Sequence, residues 1–299
     1  MKDATALEKA FGLDGQLGFA DMNGEPICWI RNGACSATIA LKGARVLSWY
    51  PCGHAEVLWI SDVRPPSGDQ PLRGGVPVCW PWFGPHPRDP GKPSHGFVRT
   101  RYWSLVSTGS NDQFTELLLQ TATTPADHDL WPFEAEVTLR ICAGATLRLD
   151  LTTRNTGTSP FELTEALHSY FRVADIADVE VEGFDHLEYL DKVDAYARKR
   201  QAGLITIGGE VDRIYLGHTG PAVIRDAALG RAIVVTKSGS TSTVVWNPWE
   251  KRALELGDLG TDGYRHMVCV ETANAGDDII SLAPGDQHTL TAEFQVASG

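Results

Sequence analysis

Residues 134–153 read EAEVTLRICAGATLRLDLTT, and this stretch decides the fold class. Ala135, Val137, Leu139 and Ile141 alternate with Glu134, Glu136, Thr138 and Arg140. Leu147, Leu149 and Leu151 then alternate with Arg148, Asp150 and Thr152. A period of two with one apolar face is the pattern of a half-buried strand, and Ala143-Gly144-Ala145-Thr146 between the runs makes the pair an antiparallel hairpin. Outward from it, strand-like runs recur at 37–41, 46–50, 57–60, 116–121, 162–173, 179–182, 222–225, 232–237, 243–246, 268–271 and 289–296. Short turns bearing Gly, Pro, Asp or Ser separate most of them. Helical pattern is confined to 4–11 and a turn or two within 251–259. Parallel βαβ units would need a crossover helix of about ten residues between strands, and none is present. The reading is one all-β domain over residues 1–299, a sandwich or barrel.

The 299 residues carry 26 Lys and Arg against 38 Asp and Glu, a net charge of −12. Such a balance excludes a general nucleic-acid binder, which needs a basic surface. No apolar run reaches the roughly 18 residues of a membrane span, and residues 1–15 hold no apolar secretory stretch, so the expected compartment is the cytoplasm. Cys28, Cys35, Cys52, Cys79, Cys142 and Cys269 form no C-x-x-C pair and no zinc spacing with histidine; they are expected as reduced, buried small hydrophobes.

Residues 64–103 break the rhythm. Nine prolines (65, 66, 71, 77, 81, 85, 87, 90 and 93) rule out a central strand and demand a long ordered loop. Trp80, Trp82, Phe83, Phe97, Tyr102 and Trp103 supply aromatic area that will be buried. Residues 64–101 hold Arg64, Arg73, Arg88, Lys92, Arg99 and Arg101 against Asp69 and Asp89, a local charge of +4. A positive loop on an acidic protein attracts anions, and the guanidinium fork suits phosphate. For any single arginine here a solvated or acid-paired side chain is the commoner outcome; it is the cluster within an aromatic, proline-stiffened loop that points to an anion.

Four other residues carry possible chemistry. His168 lies inside a strand pattern, where a satisfied core histidine is the commoner outcome. Glu271 ends an apolar run, where a buried carboxylate needs partners. Asp212 precedes Arg213, and a simple surface pair would explain it. His95 precedes Gly96, which permits close backbone approach. A His and a Glu on one sheet face make an acid–base pair, but 103 residues separate His168 from Glu271.

Arg73-Gly74-Gly75-Val76-Pro77-Val78-Cys79-Trp80-Pro81-Trp82-Phe83-Gly84, then His95-Gly96-Phe97-Val98-Arg99, resembles the signature of the D-hexose-6-phosphate mutarotases, the glucose-6-phosphate 1-epimerases of the aldose 1-epimerase superfamily. The resemblance continues through 166–171, 211–215, 245–249 and 269–274. It implies an antiparallel β-supersandwich of the galactose-mutarotase type with few short helices. It also implies anomer interconversion of an aldohexose 6-phosphate, without cofactor or metal. Glu271 matches the general base that takes the C1 hydroxyl proton, and His168 the general acid at the ring oxygen. His95 and Asp212 match groups that bind the sugar, and Arg73 and Arg99 match the phosphate arginines. Ser94 stands where some members have Gln. The expected geometry is His168 and Glu271 converging across a gap the width of a pyranose ring, with Glu271 ionised and His168 protonated. The implied partner is the small sugar phosphate alone, with no nucleic acid and no membrane, on a monomer or weak homo-oligomer. Two rival readings are a neutral-sugar aldose 1-epimerase and a non-catalytic carbohydrate-binding β-sandwich.

Overall fold

The computed structural model describes residues 3–63 and 72–298. Arg64, Pro65, Pro66, Asp69 and Pro71, part of the proline-rich segment, lie outside the described residues. Two large antiparallel sheets organise the chain. One has nine strands in the order 205–206, 179–182, 222–226, 231–238, 287–298, 146–155, 135–144, 114–122 and 104–110. The hairpin that decided the fold class is at its heart, as Ala135–Gly144 against Thr146–Asn155 with Leu139 opposite Leu151. Its stripe of Val137, Leu139, Ile141, Leu147, Leu149 and Leu151 is fully buried.

The other large sheet has eight strands. Six run in the order 197–200, 188–191, 211–216, 242–247, 267–274 and 165–167, the two-residue strand Val78–Cys79 flanks 165–167, and 170–172 also pairs with 267–274. Its inner face meets the first sheet, where Phe171 packs edge-on against Phe294 with ring centroids 5.0 Å apart. Fully burying each such aromatic is worth roughly 1.5–3 kcal/mol. A four-stranded antiparallel sheet built from residues 17–51 completes the frame with a two-stranded one. The α-helices among the described residues are Ala4–Phe11 and Trp249–Leu256.

Several elements differ from expectation. Residues 57–60 make only isolated bridges, at Leu58 and Ile60. The run 162–173 is three short strands, because the chain steps out of the ladder at Thr164 and again at His168. Leu17–Met22, Glu25–Arg31, Glu188–Asp191 and Val211–Leu216 are further strands, whose alternation is hidden by polar or aromatic interruptions. Five cysteines are buried, and Cys52 is exposed.

Between the large sheets Thr153 continues the leucine stripe and accepts from the Trp80 indole at 2.9 Å, while donating to Glu165 at 3.1 Å. Glu165 is fully buried, and burial pushes its carboxyl from the ordinary 4.5 up to about 8. The folded chain therefore keeps a proton that the unfolded chain releases near pH 4.5. Stability from this group is full below 4.5 and is lost as pH rises to about 8. Glu165→Gln should remove that decline, raising Tm most at pH 8 and least at pH 5 in thermal melts. Parallel Tm–pH curves for the two proteins would contradict it.

Candidate active site

The register of the eight-stranded sheet explains how residues 103 apart in sequence meet. Leu167 pairs with Thr272, and Tyr170 pairs with Cys269. Counting inward from both pairs sets His168 opposite Glu271, although no ladder hydrogen bond joins them. Directly opposed residues share a face. The same rule aligns Tyr170, Cys269, Trp246 and Asp212 in one row across four strands. This is the face turned away from the first sheet.

His168 Nε2 lies 3.4 Å from Glu271 Oε1. Glu271 is 1% exposed and His168 9%. The expected ring-wide gap between them is therefore wrong: the two side chains touch. Around them the rings are packed closely. Tyr170 stacks on His168 at 4.8 Å with planes 7° apart, and Trp246 stands perpendicular to both. His95 packs edge-on to His168 at 5.6 Å and to Phe83 at 5.0 Å.

The loop segments are held against this face by backbone contacts. His168 N–H donates to the Pro77 carbonyl at 2.9 Å, and Tyr170 N–H donates to Gly75 at 2.9 Å, so residues 73–77 run beside the pair. His95 sits at φ 62° and Gly96 at φ 71°. A Cβ on Gly96 would lie 1.7 Å from the Trp80 carbonyl oxygen, so the close approach requires glycine. Gly84 N–H donates to His95 Nδ1 at 3.2 Å, which leaves the ring hydrogen on Nε2 as a donor. Burial, with Arg99 and Lys192 adding, lowers His95 to about 3, so it is a neutral donor at pH 7.

Arg73 is brought to the site but is not free. Its Nε and Nη2 donate to Asp258 Oδ2 at 2.9 and 2.7 Å, and Nη1 donates to the Tyr170 hydroxyl at 3.1 Å. Arg99 donates to the Ser94 backbone carbonyl at 2.9 Å, so Ser94 enters through its main chain. Arg101 is a structural residue: it pairs with Asp127 and lies 4.6 Å over the Phe97 ring. Lys92 is drawn to the Asp129 carbonyl. Asp212 is not paired with Arg213. It meets Lys192 Nζ at 2.6 Å, and that ammonium also lies 5.6 Å over the Phe83 ring.

Lys192, Asp258, Tyr170, Trp246 and Cys269 were not assigned from sequence. Lys192 and Asp258 carry no local signal, since each is defined by a partner far along the chain. Trp246 belongs to the quoted 245–249 stretch, whose Asn247 proves structural: its amide donates to the Tyr264 and Met267 carbonyls at 2.8 and 2.9 Å.

Burial dominates the electrostatics. It pushes Glu271 well above the carboxylate range, with Asp212 adding and Lys192 opposing. It pushes His168 well below the imidazole range, and His95, Arg73, Arg99 and Lys192 add to this. Both shifts run against the expected ion pair of Glu271 carboxylate and His168 imidazolium. A desolvated site favours the neutral form over the ion pair. His168 Nδ1, Glu271 Oε2 and Asp212 Oδ1 are buried without a hydrogen-bond partner. Buried polar atoms normally have partners, so these three orphans on one sheet face suit a polar ligand. Among the described residues His168, Cys269 and Glu271 also bring a nitrogen, a sulfur and an oxygen within 4.8 Å. Burial holds the Cys269 thiol protonated, a poor state for a metal ligand.

A cavity of about 340 Å³ opens beside Lys192, between Phe83, Tyr196 and Ile214. A separate cavity of about 560 Å³, lined by Trp82, Trp131, Phe133 and Phe161, contains none of the candidate residues.

The fold is that of a sugar isomerase of the mutarotase kind. The chain belongs to the aldose 1-epimerase family, whose model matches residues 26–295. It is 40% identical over 240 residues, 80% of each chain, to a Salmonella typhimurium protein provisionally named glucose-6-phosphate 1-epimerase. The crystal structure of a provisionally named mutarotase, YeaD, also from Salmonella typhimurium, superposes with a TM-score of 0.89 at 34% identity, covering 97% of this chain and 96% of that one. A galactose mutarotase-like protein from Clostridium acetobutylicum shares the fold at 13% identity, with a TM-score of 0.73 over 95% of this chain and 98% of that one.

Proposed function

We propose that the protein interconverts the α and β anomers of an aldohexose 6-phosphate, glucose 6-phosphate first among them, with Glu271 and His168 as the proton carriers. The 3.4 Å contact between those two side chains carries the reading. Both oxygens that exchange protons in mutarotation, the C1 hydroxyl and the ring oxygen, are bonded to one carbon. Donor and acceptor therefore need to be neighbours, not to face each other across a ring. The sugar lies over the pair. One residue takes the hydroxyl proton as the other protonates the ring oxygen, and the ring opens to the aldehyde. Rotation about C1–C2 and the reverse transfers close the other anomer.

The catalytic form, Glu271 carboxylate with His168 imidazolium, differs from the resting pair by one proton moved between neighbours. Arg73, Arg99 and Lys192 oppose charge on His168. A bound phosphate neutralises that field and favours the imidazolium. His95 Nε2–H and the free oxygen of Asp212 supply hydrogen bonds to sugar hydroxyls, and Trp246 offers an apolar face. The six thiols are all free, which accords with a reducing cytoplasm. A non-catalytic sugar binder would not need an orphaned acid–base pair 1% and 9% exposed. One observation favours the neutral-sugar rival: Asp258 already takes two donors of Arg73. NMR exchange of α and β glucose 6-phosphate beside glucose tests the proposal; turnover of glucose equal to that of the phosphate would transfer it to the rival.

Lys192 acts through the pair rather than on the sugar. It lowers the proton affinity of both Glu271 and His168. Lys192→Met should move both limbs of the kcat/KM pH profile to higher pH, since losing a cation raises each affinity, and Lys192→Arg should restore them. An unshifted profile with reduced rate would make Lys192 merely structural.

A further inference from the structure

Arg45 opens the strand Arg45–Pro51 and is 4% exposed. Its Nη1 donates to the Leu72 carbonyl, its Nε is buried without a partner, and no described carboxylate pairs with it. A buried charge is normally paired, because removing it from water costs several kcal/mol. Every other arginine discussed at this site has a place for its charge or its donors.

The backbone sets Arg45 between the two loop arginines. On one side Val76 N–H donates to the Val46 carbonyl at 2.9 Å, in the segment that begins with Leu72 and Arg73. On the other, Gly43 N–H donates to the Arg101 carbonyl at 2.7 Å. A Cβ on Gly43 would lie 2.4 Å from the Arg99 carbonyl oxygen, so that turn is pressed against Arg99 itself. Arg45 also shares its electrostatic surroundings with Tyr170, the ring stacked on His168. Burial lowers the guanidinium to about 10, with Arg99 and Arg73 contributing, so it is charged at pH 7 and surrounded by like charge.

We infer that Arg45 is the third guanidinium of an anion subsite with Arg73 and Arg99, and that its missing partner is the phosphate monoester of the substrate. The inference rests on the hexose 6-phosphate reading. Charge balance supports it. A phosphate monoester carries about −1.5 to −2 at pH 7. Asp258 offsets Arg73, so Arg99 alone leaves one positive charge, and Arg45 supplies the second.

The test uses the full chain. Arg45→Met should melt at or above the parent temperature without ligand, because an unpaired buried charge is gone. It should lose the Tm rise that inorganic phosphate gives the parent. The ratio of kcat/KM for glucose 6-phosphate over glucose should fall about tenfold or more. If Arg45→Met does not fold, Arg45→Gln keeps a donor for Leu72 and is read the same way. A native phosphate-induced Tm rise together with a native ratio overturns the inference. Arg73→Ala with Arg99→Ala separates the two failures. If that pair lowers the ratio while Arg45 variants do not, only Arg45 is misassigned; if neither does, the phosphate reading itself falls.

Discussion

Glu271→Gln should lower kcat for anomer exchange of glucose 6-phosphate by at least about 100-fold, and His168→Asn by a similar factor, since a positioned acid or base contributes about 10²–10⁴. Gln keeps the shape of Glu271 but cannot accept and return a proton; Asn does the same for His168. The two changes together should cost little more than either alone. The pair holds one mobile proton over 3.4 Å, and a proton relay with one end missing is already broken. The same substitution should leave Tm unchanged or higher, because Glu271 is held 1% exposed with an orphaned oxygen. Loss of activity with gain of stability separates a functional group from a packing residue. NMR exchange rates, corrected for uncatalysed mutarotation, give the first quantity and thermal melts the second. Near-native turnover in either single variant would show that the proton carrier lies elsewhere.

The second large effect concerns phosphate. Arg73→Ala and Arg99→Ala should each lower kcat/KM for glucose 6-phosphate by about 10–150-fold, since a charge-assisted hydrogen bond contributes roughly 1.5–3 kcal/mol. The loss should fall mainly on KM, because the 6-phosphate is remote from C1 and is held alike in ground and transition states. The structure refines the expectation. Arg99 donates only to a backbone carbonyl and can turn to an anion at little expense. Arg73 would share its charge between phosphate and Asp258, whose side chain is 40% exposed. Arg99→Ala should therefore be the more damaging. Lysine at either position should restore part of the loss, as an ammonium lacks the forked donors. Sulfate should compete with substrate in the parent and much less in Arg99→Ala. An unchanged preference for glucose 6-phosphate over glucose in the double variant would remove these arginines from phosphate recognition.

Much of this was legible in the sequence, for a physical reason. Strands with one wet face write their alternation locally, so residues 135–155 announced themselves. Val211–Leu216 did not, because its outward row carries Asp212 in the site, and a functional residue breaks the pattern that identifies a strand. Arg73, His95, Arg99, His168, Asp212 and Glu271 were named through family resemblance, and the structure brings them to one sheet face and its covering loop. What sequence could not supply were pairings. That His168 opposes Glu271 follows from a register set by Leu167 with Thr272, which no single strand records. Asp258 for Arg73, and Lys192 for Asp212, are likewise facts about distance in space. The shifts in proton affinity at Glu271 and His168 are hidden from sequence for the same reason, since they depend on how deeply the pair is covered.

Under the proposed function, proton handling and phosphate recognition are housed in different parts of the chain. Glu271 lies on a strand of the sheet and His168 at the step between two others, with core on the sheet's opposite face. Arg99 and His95 belong to the proline-stiffened covering, as does the Arg73 stretch. A change of substrate can then be explored by rewriting the covering while the proton-handling floor is inherited untouched. Such a division makes selectivity cheap to vary and chemistry hard to lose, so descendants of one scaffold can diverge in what they accept long before they diverge in what they do.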